Sequence, residues 1–263
     1  MVQERAAAEV PHVEVDGIAI ASLSREGVVD HIAAALAHDR GGWVITVNAD
    51  HMQRCSRDPQ VRAHCERAEL VVADGAPVLW AAKLKGTPLP DRVAGSDLVW
   101  LLAERAQRDG HSLYLLGGEP GAAELAAREL TRRWPALRIA GWSSPRVSLQ
   151  PTPDEIAALA STLCELAPDL VYVALGAPKQ ENVIAALRER LPGTWWLGVG
   201  ISLSFISHQI PRAPLWMQQI GLEWLHRLAQ EPRRLAGRYL LDDLPYVVGL
   251  LARSLRTRRA ELR

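Results

Sequence analysis

Single polar residues follow short apolar runs at several points along the chain, where a strand would end and a loop begin. Asn48, Asp74 and Gln180 each take such a position. Asp74 ends the run LVVA and precedes a glycine, a setting in which desolvation would raise the pKa of its carboxyl group toward the range of a general base. The alternative is a turn aspartate, which is common in Asp-Gly pairs.

The elements that would position these side chains centre on residues 170–182, LVYVALGAPKQEN. The continuous apolar run at 170–175 predicts a strand buried on both faces in the middle of a parallel sheet. Gly176 permits a tight turn, and Pro178 suits the first turn of a helix whose N-terminus would favour an anion. An ordinary strand-to-helix connection has the same local pattern.

The rest of the chain alternates between strand and helix signals, which predicts one α/β sheet domain. A hairpin is expected at 10–20, Ser24 and Ser96 are expected to cap helices, and 201–212 is expected to be a loop. Because the carboxyl ends of parallel strands meet at one edge, the strand-end residues could line one crevice. These residues are Thr46, Asn48, Asp74, Gly117, Gly118, Gln180 and the segment 198–204, which includes Gly200 and Ser204.

The composition and the absent motifs restrict the function. The charges balance, with 30 basic and 30 acidic residues, so no global field favours nucleic acid. The chain lacks GxxxxGK[ST], GxSxG, HExxH and GxGxxG, which argues against P-loop, common hydrolase, zinc protease and nicotinamide sites. It also lacks an Asp-x-Asp pair, so the charge of a leaving diphosphate would have to be offset by helix N-termini, amides and arginines.

Other features carry weaker predictions. Three cysteines with no paired metal-ligand spacing predict a reducing compartment and incidental or buried thiols. His51 and His208 are interpreted as polar loop histidines without a partner at metal-ligand spacing. The N-terminus lacks the pattern of a signal peptide, and no apolar run reaches 18 residues, which predicts a protein that is cytosolic or peripheral to a membrane.

The C-terminal part of the chain is basic and rich in tryptophan. From residue 232 onward, eight arginines stand against Asp242, Asp243 and Glu261. As amphipathic helices, these segments could lie on an anionic membrane surface. They could equally pack their apolar faces against the sheet domain, because both roles need the same periodicity.

Taken together, these segments resemble the WecG/TagA/CpsF family of bacterial glycosyltransferases (glycosyltransferase family 26). The resemblance covers nearly the whole chain and depends on the order of its motifs: TVNADHM at 46–52, VVADGAPVLWAAKLKGTPLPDRVAGSDLV at 71–99, LYLLGGEPG at 113–121, PDLVYVALGAPKQE at 168–181, GVG at 198–200 and RAPLWMQQIGLEWLHRLAQEPRRLAGRYL at 212–240. It implies a Rossmann-like parallel sheet flanked by helices over residues 1–211. It also implies a helical, membrane-associating appendage over 212–263.

The resemblance also implies an activity. Such proteins transfer a sugar, here N-acetylmannosamine, its uronic acid or a related hexose, from a UDP-sugar to a polyprenyl-diphosphate-linked saccharide. The transfer inverts the configuration, needs no metal or other cofactor, and takes place at the inner face of the cell membrane during cell-surface polysaccharide synthesis. The resemblance leaves open whether the protein forms a homo-oligomer.

Roles for particular residues follow from the same resemblance. Asp74 is similar to the catalytic base, Thr46 and Asn48 to polar contacts, and Gln180 to a contact with the diphosphate. The C-terminal arginines are similar to those that meet the lipid-linked acceptor: Arg212, Arg233, Arg234 and Arg238.

The chain departs from the family pattern in two places. Ser204 replaces the acidic residue expected to contact the nucleoside. The glycine that commonly precedes the KRAP segment of the family is also altered, because this chain reads SHQIPRAP at 207–214. Two other classes of function stay open at this point. A nucleotide-sugar epimerase or dehydrogenase would use a similar sheet, and a non-catalytic membrane-associated scaffold would keep the C-terminal segment.

Overall fold

The computed structural model of the protein describes residues 10–219 and 221–261, without the side chains of Gln219, Arg234 and Glu261. The strands are β1 His12–Val15, β2 Ile18–Ala21, β3 Gly42–Val47, β4 Leu70–Ala73, β5 Ser112–Gly117, β6 Arg138–Ser143, β7 Leu170–Ala174 and β8 Trp195–Gly198. The helices of the first 211 residues are α1 Arg25–Leu36, α2 Ala49–Arg57, α3 Pro59–Arg67, α4 Ala76–Lys85, α5 Gly95–Asp109, α6 Ala122–Arg133, α7 Pro153–Leu166, α8 Lys179–Leu187 and α9 Ser202–Ile206. Those that follow are α10 Leu215–Gln219, α11 Glu223–Gln230, α12 Pro232–Gly237 and α13 Leu244–Glu261, with a π-helical turn at Arg238–Asp243.

Six strands form one parallel sheet in the order β4-β3-β8-β7-β5-β6, and β1 and β2 form a separate antiparallel hairpin. The predicted α/β architecture is therefore confirmed. Strand β7 lies between β8 and β5, and all five of its residues are buried. A strand with helices on both sides must be apolar on both faces, which is why its sequence is a continuous apolar run.

Each face of the sheet carries its own hydrophobic layer. Leu113 and Leu115 belong to the layer formed with helices α1, α5, α6 and α9, while Tyr114 and Leu116 belong to the opposite layer. That opposite layer contains the hairpin, helices α2, α3, α4, α7 and α8, and Leu250 of α13. The period-two alternation along β5 thus distributes its side chains between two cores.

Helix starts explain one correct and one wrong prediction. The Ser24 side chain accepts a hydrogen bond from the Gly27 N–H, so the predicted cap of α1 is confirmed. The prediction that Ser96 caps a helix was wrong, because α5 begins at Gly95 with Ala94 as the N-cap residue. The Gly95 N–H instead donates to the Asp74 carboxylate at 3.3 Å, so an acid distant in sequence satisfies a free donor of this helix.

The C-terminal segment, residues 212–219 and 221–261, packs on the sheet domain. Helix α13 packs along α4 and buries Leu250 and Ser254. The Arg253 guanidinium pairs with both oxygens of Asp16 in the hairpin turn, at 2.9 and 2.8 Å. Of the two alternatives left open by the sequence, packing of these helices against the sheet domain is therefore observed. The expected loop at 201–212 was partly wrong, because it contains the short helix α9.

Candidate active site

The carboxyl ends of β3, β4, β7 and β8 open into one cleft of about 1340 Å³. The predicted site residues that line it are Thr46, Asn48, Asp74, Gly118, Gln180, Gly200, Ser204 and Arg238. Parallel strands place their carboxyl ends together, so residues more than 150 positions apart in the sequence share this space. The C-terminal segment supplies part of the wall, including Glu223, Trp224 and Arg227.

Asp74 lies in the cleft wall at the N-terminus of α5. Its side chain is 23% exposed, and among the described residues it accepts one hydrogen bond, from the Gly95 N–H. Burial raises the pKa of Asp74 to about 7, the negative charges of Glu223 and Asp97 add to the rise, and Arg92 and the Gly95 N–H oppose it. The carboxylate therefore titrates near neutral pH and keeps acceptor sites that face the cleft.

A network of charged side chains surrounds Asp74 and joins it to the C-terminal segment. The Nη1 atom of Arg92 lies 3.7 Å from the Asp74 carboxylate and 3.6 Å from that of Glu223. Arg212 pairs with Asp97 at 2.8 Å and with Glu223 at 3.0 Å. The structure therefore places Arg212 in this network, and Arg212 is not among the residues that line the cleft.

Polar residues at the end of β3 form another part of the wall. The Asn48 side-chain oxygen accepts the His51 N–H at 3.0 Å, which caps helix α2. Its amide nitrogen is outside this cap, so Asn48 can still donate to a ligand. Thr46 is partly buried and lies against Gly95, where a Cβ atom would come 3.5 Å from its hydroxyl oxygen.

Gln180 connects two strand ends. Its carbonyl oxygen accepts the Gly200 N–H at 3.1 Å, and its amide donates to Glu181 at 2.9 Å. A Cβ atom on Gly198 would lie 2.6 Å from this amide, so the glycine makes room for Gln180. Gln180 thus positions the loop after β8 from inside the cleft wall.

The glycines of the predicted site have different roles. A Cβ atom on Gly117 would lie 2.7 Å from the Ala174 carbonyl oxygen, and its φ is +94°. The backbone conformation and the close approach of β7 therefore require a glycine at position 117. Of the two glycines, Gly118 is the one that lines the cleft. Gly200 has a φ of +52° and open space around it, while Ser204 is buried on α9 at the cleft wall.

The arginines predicted to meet the acceptor are placed differently from one another. Arg238 lines the cleft, 4.0 Å from the carboxylates of both Asp50 and Asp243. Arg233 is exposed on α12 and is not among the cleft-lining residues. The Arg234 side chain lies outside the described residues. Sequence reasoning missed Arg227, which lines the cleft beside Phe205 and pairs with Glu231 at 3.2 Å.

The interpretation of His51 was wrong. His51 is buried on helix α2, one turn before Cys55, and its Nε2 atom lies 3.6 Å from the Cys65 sulfur. The i, i+4 spacing of His51 and Cys55 on a helix was the available signal, and it needed Cys65 from the next helix to become meaningful. His208 is an exposed loop residue, as predicted.

Large apolar side chains surround the cleft mouth. Trp80, Trp224, Leu240 and Leu244 line the cleft and are each about half exposed. Leu241 and Val248, close to them in sequence, are 77% and 60% exposed. Such exposure is typical of surfaces that meet a lipid or a partner. None of the helices in the described parts of the chain combines the length and hydrophobicity needed to cross a bilayer.

Known proteins are similar to this chain over most of its length. Residues 13–260 match the model of the family described as glycosyl transferase WecG/TagA/CpsF. The chain is 32% identical over 225 residues to a curated protein of Bacillus spizizenii, covering 85% of this chain and 84% of that one. That relative is named N-acetylglucosaminyldiphosphoundecaprenol N-acetyl-beta-D-mannosaminyltransferase.

Proposed function

The chain belongs to the WecG/TagA/CpsF family of glycosyltransferases, and from that premise we propose that it transfers N-acetylmannosamine or a related hexose from a UDP-sugar to a polyprenyl-diphosphate-linked saccharide. The named activity of the relative, which acts on N-acetylglucosaminyl-diphosphoundecaprenol, supports this choice of sugar and acceptor. Membership in a glycosyltransferase family decides against the epimerase, dehydrogenase and scaffold alternatives.

The basicity of Asp74 carries the proposed mechanism. A carboxylate with a pKa of about 7 in a cleft can accept the proton of the acceptor hydroxyl as that oxygen attacks the anomeric carbon. The new C–O bond forms on the face opposite the departing UDP, so the configuration at this carbon inverts. The bond to the diphosphate oxygen breaks, UDP keeps the electron pair, and Asp74 holds the proton.

Cationic side chains in the cleft support a transfer that needs no divalent metal. Lys179, Arg146, Arg227 and Arg238 all line the cleft, and Lys179 stands in the first turn of α8. Guanidinium groups and free helix N–H donors stabilise a diphosphate by charge-assisted hydrogen bonds. We assign Thr46, Asn48, Gly118, Gln180 and Gly200 to the same binding wall.

The C-terminal segment has two roles in this proposal. We assign residues 1–211 to a core and 212–263 to an appendage, which contributes Trp224, Arg227 and Arg238 to the cleft wall. Its exposed apolar residues would rest on the inner face of the membrane, with arginines near the anionic headgroups. The lipid-linked acceptor would then enter the cleft from the membrane side.

A donor screen tests the proposal. UDP release is measured with several UDP-sugars, with and without a short-chain polyprenyl-diphosphate saccharide, in the presence of EDTA. We expect release that depends on the acceptor and is highest with UDP-N-acetylmannosamine. Release that is independent of the acceptor would instead indicate hydrolysis, and a strict requirement for magnesium or manganese would contradict the metal-free transfer.

A further inference from the structure

A buried cluster of one histidine and two cysteines lies beside the cleft. His51 and Cys55 stand one turn apart on α2, and Cys65 stands on the following helix, α3. The side chains are 5%, 3% and 7% exposed. The Cys55 and Cys65 sulfurs are 3.6 Å apart, and the His51 Nε2 atom lies 3.6 Å from the Cys65 sulfur. All three donor atoms fall within 4.8 Å of one another.

Two of these separations, between the Cys55 and Cys65 sulfurs and between the Cys65 sulfur and the His51 nitrogen, match those between ligand atoms of a tetrahedral zinc site, and the third lies within 4.8 Å. Zinc binds sulfur at about 2.3 Å and imidazole nitrogen at about 2.0–2.1 Å, so two sulfur ligands lie roughly 3.8 Å apart and a sulfur and a nitrogen roughly 3.6 Å. A cation placed among the three atoms would need only small shifts of the side chains. We propose that His51, Cys55 and Cys65 form a three-ligand binding site for Zn²⁺, with a water molecule as the fourth ligand.

A buried carboxylate nearby supports a cation at this position. Glu181 is 4% exposed, and its Oε2 atom has no hydrogen-bond partner in the described parts of the chain. No ion pair of Glu181 is found there either. Burial and the contacts with Cys55 are the main influences on the pKa values of His51 and Cys65, and the charge of Glu181 is a smaller one, so Glu181 lies within electrostatic range of the cluster. A buried carboxylate with one oxygen unsatisfied is costly, and a divalent cation among its neighbours would offset that cost.

The donor set selects zinc over the ions that accompany nucleotide diphosphates. Thiolates and imidazole suit Zn²⁺, whereas Mg²⁺ and Mn²⁺ prefer oxygen ligands. Zn²⁺ would bind both sulfurs as thiolates and the imidazole in its neutral form, so binding would release to solvent whatever protons these groups carry, and affinity should increase with pH. The site would hold α2 against α3 and so fix the helix that begins at Asn48 in the cleft wall. This inference does not depend on which sugar the enzyme transfers.

Cobalt spectroscopy and zinc analysis on the full-length chain test the proposal. Reduced protein is treated with chelator, separated from it, and titrated with Zn²⁺ or Co²⁺. We expect one tightly bound Zn²⁺ per chain and, with Co²⁺, the thiolate charge-transfer band and strong visible bands of tetrahedral coordination. Zn²⁺ should raise the midpoint of thermal unfolding, because it binds the folded state.

Variants locate the metal within the chain. Cys55→Ser, Cys65→Ser and His51→Ala should lose the thiolate band or the stoichiometric zinc. Cys164→Ser is the matched control, because the third cysteine is exposed on α7 and should leave metal binding unchanged. Circular dichroism of each variant checks folding, and the Co²⁺ spectrum of the unmodified chain is informative even where a variant fails to fold.

Two results would overturn the proposal. The first is a folded, reduced wild-type protein that takes up no stoichiometric Zn²⁺ and shows no tetrahedral Co²⁺ spectrum. The second is a protein in which thiol titration finds only one reactive cysteine until a reductant is added, which would mean that Cys55 and Cys65 form a disulfide and that the pair is a redox site.

Discussion

Replacing Asp74 with asparagine separates proton transfer from binding. Asparagine keeps the shape of the side chain and an oxygen that can accept the Gly95 N–H, but it cannot take a proton from the acceptor. We expect turnover to fall by roughly 10²–10⁴-fold, with nearly unchanged affinity for UDP. Asp154→Asn, at an exposed position on α7, serves as the control.

The pH dependence gives a second, independent measurement. Because the base must be deprotonated, kcat/KM of the wild type should rise about tenfold per pH unit up to the pKa of about 7 and then level off. At pH 6 the rate should be about a tenth of the plateau. The residual activity of Asp74→Asn should lack this acidic limb. The same limb in the variant, or an equal loss of UDP affinity and turnover, would refute the role of Asp74 as base.

The same pKa implies that Asp74 lowers the stability of the folded protein. Its pKa is raised from 3.8 to about 7, so the penalty is absent below about pH 4, grows between these values and is complete above about pH 7. Three pKa units correspond to about 4 kcal/mol as an upper limit. Partial exposure and the lost attraction of Arg92 reduce the gain expected for Asp74→Asn to about 1–2 kcal/mol at pH 8. Urea unfolding at pH 5 and pH 8 measures it, and a variant less stable than wild type at pH 8 would contradict the argument.

Two further variants test the membrane surface and the sheet end. The double change Leu241→Glu with Val248→Glu should reduce binding to anionic liposomes at least about tenfold, since each change removes an exposed apolar contact. The control Leu149→Glu, also at an exposed leucine, should not reduce binding. Flotation assays measure liposome binding, and an equal loss in the control would contradict the prediction. Gly117→Ala should lower the free energy of unfolding by about 2–4 kcal/mol, because the φ of Gly117 is positive and a Cβ atom there would meet a carbonyl oxygen. Gly176→Ala should lower the free energy of unfolding by only about 1 kcal/mol, because the φ of Gly176 is also positive but the space around it is open. Urea unfolding compares the two, and equal losses would contradict the close-contact argument.

The sequence was sufficient for features whose causes are local. The apolar run of β7 predicted a buried central strand, because a strand covered by helices on both faces needs apolar side chains on both faces. The place of Asp74 after an apolar strand predicted that desolvation would raise its pKa, and burial does raise it to about 7, while its role as the base stays a prediction. Convergence of the strand ends followed from the parallel sheet alone.

Features that depend on tertiary pairing were not predictable in this way. The start of α5 was misplaced because its N-terminal donor is satisfied by Asp74, which is 21 residues earlier. His51 was misinterpreted because the meaning of its spacing to Cys55 depends on how α3 packs against α2. The partners of Arg212 also come from elsewhere in the chain, namely Asp97 and Glu223, and a single sequence does not show which charges will pair.

Glu223 connects the docking of the C-terminal segment to the chemistry of the core. It belongs to α11, yet its carboxylate contacts Arg92 and Arg212 and raises the pKa of Asp74. The segment also lines the cleft, and the protein atoms that it adds there contribute to the burial that is the largest cause of this rise. If the segment were undocked, water would replace these atoms and the charge of Glu223 would be removed. Both changes would lower the pKa of Asp74 and weaken it as the proposed base, so the same packing that forms this wall of the cleft also sets the proton affinity of Asp74.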